Sequence, residues 1–152
     1  MRGPVRCFGF TLVELLVTIS IMTVLFGVGL ARYNQFNQSR RVVEAAKNLR
    51  SDLNFARSKA LAGDKSGACT GDLDGWYIEF FTHSYDLGRS CGGTASSFKT
   101  VSLDTLTLTS TKSTLLFRPL SLGVDTVNEI EIFIIKNTYQ EKVTVSRNGE
   151  IN

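Results

Sequence analysis

Residues 9–31 read GFTLVELLVTISIMTVLFGVGLA, and the rest of the chain takes its meaning from them. The 22 residues from Phe10 to Ala31 hold one ionisable side chain, Glu14. As a helix rising ~1.5 Å per residue they are long enough to cross a hydrocarbon core of ~30 Å. A carboxylate at the centre of such a helix costs roughly 2.5–3.5 kcal/mol, and less toward its end, so Glu14 calls for a partner. Immediately ahead stands Met1-Arg2-Gly3-Pro4-Val5-Arg6-Cys7-Phe8-Gly9, a short basic leader closed by glycine.

Two readings of this start compete. A secretory signal peptide has a basic n-region and an apolar h-region, and Gly29-Leu30-Ala31 offers small residues for a cut. The acid five residues into the run, and the length of the run, speak against it. In contrast, Gly9-Phe10-Thr11-Leu12-Val13-Glu14, in register ahead of the apolar run, resembles the junction of the type IV pilin and pseudopilin superfamily. The resemblance implies cleavage by prepilin peptidase between Gly9 and Phe10, N-methylation of Phe10, and Glu14 as the fifth residue of the mature chain. It also implies a role for the buried charge. In a fibre of stacked helices the Glu14 carboxylate meets the N-terminal amine of a neighbouring subunit, a pairing that sets register more than stability.

The order of segments follows: 1–9 leader, 10–31 the transmembrane half of a helix, 32–62 its amphipathic half, and 63–152 a β-rich globular domain. Beyond the anchor, Val42, Ala46, Leu49, Leu53, Ala56 and Ala60 recur at steps of four and three, which places them on one helical stripe. No proline lies between Phe10 and Ala62, and Gly63-Asp64 reads as a C-cap, so one helix of about 53 residues is expected. Gly27 and Gly29 are its expected weak points during assembly.

From Lys65 the composition shifts to Gly, Ser, Thr, Asp and β-branched residues. Strands are expected at Gly75 to Thr82, Phe98 to Leu103, Leu106 to Thr109, Thr114 to Phe117, Glu129 to Ile135 and Lys142 to Arg147. A Gly/Ser-rich loop is expected from Ser84 to Ser97, with turns at Pro119 to Gly123 and Asn137 to Gln140. The fold class is α+β, an antiparallel sheet laid on the helix stripe. Leu53-Asn54-Phe55-Ala56-Arg57-Ser58-Lys59-Ala60, Trp76, Phe117-Arg118-Pro119-Leu120-Ser121-Leu122-Gly123 and Val143 to Ile151 resemble, in order, the GspH/FimT group of minor pseudopilins and minor pilins. The turn before Gly123 is wider than that group's.

The formal charge of +3 falls to about +1 once Arg2 and Arg6 leave with the leader, which gives no general reason for a nucleic-acid partner. Arg32, Arg40 and Arg41 follow the anchor much as Arg2 and Arg6 precede it, so orientation rests on cytoplasmic processing of the leader. Of three cysteines, Cys7 departs with the leader, and Cys69 and Cys91 remain as an even pair in a domain outside the cytoplasm, where a disulfide is expected.

No metal or cofactor is expected. Cys-x-x-Cys spacing is missing, and Asp72-Leu73-Asp74-Gly75 lacks the remaining positions of a calcium loop and reads as a turn. His83 reads as a solvated loop residue. Trp76, Tyr77, Phe80 and Phe81 read as packing rather than a stacking platform, and the Arg40-Arg41, Lys47, Arg50, Arg57, Lys59 side of the helix as a solvated or intersubunit face. With no nucleophile elbow or phosphate loop the chain is not read as an enzyme. The resemblance implies an inner-membrane, single-pass subunit of a type II secretion or type IV pilus fibre. Its partners are other pilins or pseudopilins, prepilin peptidase and the inner-membrane assembly platform. The alternative is a tip-located module capturing DNA or a surface ligand, against which the single basic residue in Arg147-Asn148-Gly149-Glu150-Ile151-Asn152 counts.

Overall fold

The structure, a computed structural model, describes residues 10–65, 69, 71–120 and 123–152, and of residues 28–31 the backbone alone. The leader 1–9, and with it Gly9, lies outside the described residues, as do Ser121 and Leu122 of the widened turn. The chain divides into two compact units, one ending at Asn37 and one spanning Gln38–Asn152. One helix, α1 (Leu12–Leu61, 50 residues), contributes to both. It begins two residues later and ends one residue earlier than the sequence pattern suggests, because Thr11 and Ala62 are capping residues.

In the first unit the apolar side chains of α1 are exposed, among them Leu12, Leu16, Val24 and Phe26. An 18-residue window here has a mean hydropathy of 2.2, enough for a membrane span. The few hydroxyl groups are satisfied within the helix: Thr18 donates to the Leu15 carbonyl (2.9 Å), Ser20 to Leu16 (2.8 Å) and Thr23 to Ser20 (2.8 Å). Such back-bonding lets polar side chains sit in a hydrocarbon environment without an unpaired donor. α1 is continuous through Gly27 and Gly29.

In the second unit the predicted stripe is the buried one: Val42, Ala46, Leu49, Leu53, Ala56 and Ala60 are each at most 1% exposed. α1 closes as the sequence suggests. Gly63 adopts φ +62°, its N–H donates to the Ala60 carbonyl and the Asp64 N–H to that of Lys59, both at 3.0 Å, a Schellman arrangement. Lys59 then reaches Asp64 at 2.5 Å, and the Trp76 indole N–H donates to the Asp64 carbonyl at 3.1 Å.

The α+β class holds, with the antiparallel strands divided between two sheets. The first has the order β3-β2-β1-β5, with β1 Leu73–Phe80, β2 Ser84–Cys91, β3 Thr94–Ser102 and β5 Thr114–Phe117. The second has the order β4-β6-β7, with β4 Thr107–Ser110, β6 Ile130–Lys136 and β7 Tyr139–Val145. Alternate residues fill the core: Trp76, Ile78 and Phe80 from β1, Ile130, Ile132 and Ile134 from β6, Val143 and Val145 from β7. Tyr77 is buried too, whereas Phe81 is 44% exposed, beyond the end of β1.

The stretch Ser84 to Ser97 corrects an expectation. It is not a loop but most of a β-hairpin, β2 paired with β3 from Ser84↔Ser102 to Cys91↔Thr94. The two residues between, Gly92 (φ +56°) and Gly93 (φ +78°), give the left-handed pair that a tight type I′ hairpin turn needs. The expected turn at Asn137 to Gln140 is tighter than foreseen. Lys136 pairs with Tyr139 around Asn137 (φ +53°) and Thr138.

β3 also carries a bulge. Leu87 faces Lys99 and Gly88 faces Ser97, so Phe98 is the extra residue. Consecutive residues of a regular strand point to opposite faces, yet Phe98 and Lys99 both reach α1. Phe98 stacks on Phe55 (5.8 Å between centroids, 18° between planes), and Lys99 binds Asp52. Trp76 completes the ring cluster edge-on, at 5.9 Å from both Phe55 and Phe98.

Candidate functional site

The anchor begins with a cap. The Thr11 carbonyl accepts from the Leu15 N–H at 3.2 Å, and the Thr11 hydroxyl accepts from the Glu14 N–H, also at 3.2 Å. Thr11 is therefore the N-cap of α1, with Glu14 in the first turn, where the helix dipole favours negative charge. Thr11 was not singled out in the sequence, although the T-x-x-E spacing was legible there. The cap fixes the helix start but leaves the Glu14 carboxylate exposed, and among the described residues it has no hydrogen-bond or ion-pair partner. Phe10 is 74% exposed. Residues expected to act in processing and assembly are thus presented outward from the unit that carries them.

Cys69 and Cys91 are brought together in a disulfide with Cα atoms 5.7 Å apart, tying the segment after α1 to the end of β2. Close by, the Gly92 N–H donates to the Asp72 carbonyl (2.9 Å), while Asp74 Oδ2 accepts from the Gly93 N–H (2.7 Å) and the Ser90 hydroxyl (2.9 Å). The Gly93 bond first, and the Ser90 bond second, hold the Asp74 carboxyl below its ordinary pKa. The carboxylate that resembled part of a calcium loop is engaged as a clamp on the hairpin turn. No group of three or more His, Cys, Asp or Glu suited to a metal ion occurs among the described residues.

The helix face of mixed charge is partly structural. Asp52 accepts from the buried Tyr85 hydroxyl (2.7 Å) and lies 2.9 Å from Lys99 Nζ through both oxygens. Burial, and then the bond to Asp52, push the Tyr85 phenol far above its ordinary pKa of 10.0. Arg50 donates to the Lys142 carbonyl at 3.0 Å. Exposed His83, beside the β1–β2 turn, has its Nδ1 2.8 Å from the Leu106 carbonyl, which gives it a local structural contact.

At the other end of the domain, the turn after β5 docks on the C-terminal strand. Arg118 N–H donates to Gly123, Val124 N–H to Arg147, and Thr144 exchanges backbone bonds with Asn152. These contacts set Arg118 and Gly123 beside the Val143–Ile151 segment.

Residues 5–30 match the family model described as the prokaryotic N-terminal methylation motif. No curated protein and no solved structure matches the chain.

Proposed function

From a chain that carries the prepilin-type methylation motif of the pilin and pseudopilin superfamily, we infer a minor pilin or pseudopilin of the GspH/FimT kind, a structural subunit of a type II secretion or type IV pilus fibre. On this reading the chain is a non-catalytic pilin-like protein, held in the inner membrane by the apolar half of α1, with its β domain on the extracytoplasmic side. Processing would follow the motif: prepilin peptidase cuts between Gly9 and Phe10 and methylates the new amine of Phe10.

The observation that carries the assembly role is the Glu14 carboxylate, exposed and, among the described residues, unpartnered in an otherwise apolar segment. Unit charges ~4 Å apart attract by about 4 kcal/mol at an effective dielectric constant of ~20. That is comparable to the roughly 2.5–3.5 kcal/mol cost of an acid at the centre of a membrane helix. Pairing with the amine of an adjacent subunit therefore removes a penalty that the lone chain retains, and rewards one register of helix against helix.

The test replaces Glu14 with Ala and, separately, with Gln, in cells that make the fibre. Both variants are expected in the membrane at normal levels and absent from filaments. The Gln variant removes the charge while keeping the side chain's size, and the Thr11 cap, which holds the backbone N–H of residue 14, stays available in both variants. Wild-type incorporation of both refutes the assembly role. Mass spectrometry of the mature protein is expected to find N-methylated Phe10 at the terminus, and a chain beginning at Arg32 would overturn the processing assignment.

A further inference from the structure

We propose that the cavity between the end of α1, the residues Phe117, Arg118 and Gly123, and the Val143–Ile151 segment is a carboxylate-binding site, filled in the fibre by an acidic side chain of a neighbouring subunit. The cavity has a volume of about 140 Å³, and Arg57, Leu61, Phe117, Arg118, Asn148 and Gly149 are among the residues that line it. Ligand pockets for drug-sized molecules run from roughly 300 Å³ upward, so a space of this size suits a single small group.

Its charged side chains, Arg57 and Arg118, are both donors. Arg57 is half-buried, and among the described residues its guanidinium has neither a hydrogen bond nor an ion pair. Its Nε lies against Gly149: a Cβ built there would sit 3.5 Å from that nitrogen, and φ of +79° reserves the position for glycine. Arg118 spends one nitrogen on Asp125 at 3.0 Å and keeps its other N–H groups. Asp125 is shared with Lys112, so the nearest acid is already paired. Asn148 accepts at Oδ1 from the Ser146 hydroxyl and from the Glu150 N–H (3.3 Å), which orients its amide so that Nδ2 remains available as a donor. Leu61 and the buried Phe117 ring supply apolar walls, which strengthen a charge-assisted bond made between them.

The unpaired Arg57 guanidinium, a planar fork of N–H donors, matches one carboxylate, which accepts two parallel bonds from such a fork. The carboxylate chemistry stands on the cavity alone. That a fibre neighbour supplies it rests on the proposed function.

The experiment uses the full chain in detergent micelles with its disulfide intact. Sodium acetate is titrated at constant ionic strength against chloride, and NMR follows the Gly149 amide and the Arg57 Nε–H. Saturable shifts are expected, weakened at least fivefold in Arg57→Gln and within twofold of wild type in Arg147→Gln, an exposed arginine outside the cavity. Absence of saturation, equal shifts with chloride or phosphate, or unchanged affinity in Arg57→Gln overturns the site, whether or not the protein assembles. For the source, a photo-crosslinking residue at Leu61 is used in fibre-producing cells. A crosslinked subunit peptide containing Asp or Glu supports the neighbour. A peptide lacking both, or no crosslinked protein while acetate binding persists, overturns that source, the latter in favour of a free small carboxylate.

Discussion

The buried phenol of Tyr85 gives a prediction whose size and pH dependence both follow from its surroundings. The side chain is fully buried, and its hydroxyl donates to Asp52 at 2.7 Å. A hydrogen bond to a charged acceptor contributes roughly 1.5–3 kcal/mol. In Tyr85→Phe, Asp52 keeps Lys99, so no carboxylate is stranded, and a loss of about 2 kcal/mol is expected at pH 7. Burial first and Asp52 second raise the folded-state pKa of Tyr85 well above the 10.0 of an ordinary tyrosine. Above pH 10 the unfolded chain therefore loses this proton while the folded chain keeps it. The stabilisation is complete below that pH and declines as pH rises, by about 1.4 kcal/mol per unit. The wild-type advantage of about 2 kcal/mol is thus consumed by roughly pH 11.5, where the two proteins become equally stable. Tyr77, raised in the same direction by burial and then by Asp86 and Glu79, acts in both proteins and leaves the difference intact. The assay is guanidinium unfolding of the full chain in mild detergent from pH 7 to 11.5, read by the fluorescence of Trp76, the single tryptophan. A gap between the two proteins that stays constant with pH would refute the reasoning.

Two further outcomes concern the same domain. In Gly88→Ala the new Cβ would lie 2.4 Å from the Ser96 carbonyl oxygen and 2.7 Å from the Tyr77 ring, and because one obstacle is backbone the strand pairing must yield. A loss of roughly 1–3 kcal/mol is expected, and an unchanged denaturation midpoint would show that the ring and edge strand move aside freely. Replacing both Cys69 and Cys91 with Ser opens a loop of 22 residues and is expected to cost about 3 kcal/mol on the chain-entropy account. In the wild type neither thiol should react with iodoacetamide before reduction, and labelling of both would contradict the bond.

Periodicity carried the helix because its information is local. Six small or branched apolar residues from Val42 to Ala60 recur on one stripe, and a helix of fixed pitch leaves them no face to bury but that one. Strands with alternating branched residues, such as Ile130 to Ile134, announced themselves for the same reason. β2 and the first half of β3 did not. Ser84-Tyr85-Asp86-Leu87-Gly88-Arg89-Ser90-Cys91 has few β-formers, and each of its strand partners lies elsewhere in the chain. The sign that is present, Gly92-Gly93, fits a Gly/Ser-rich loop as well as a two-residue hairpin turn, and only pairing of the flanking strands separates the two.

The anchor was the most legible part. A lone acid at the fifth residue past the Gly9-Phe10 junction of an apolar run is a statement about solvent and charge, and needs no tertiary contact to be understood. By contrast, the cavity at the domain's end belongs to tertiary structure. Arg57, Arg118 and Asn148 are far apart in sequence and converge because the helix, the turn after β5 and the C-terminal segment pack together there. What the amino-acid order determined alone was which stretch is long and apolar enough to cross a membrane and which helical stripe is buried, since both follow from spacing along one element. The division into two sheets, the bulge that turns Phe98 and Lys99 to the same side, and the unspent guanidinium of Arg57 were decided when distant segments met, because pairing and satisfaction are properties of neighbours in space.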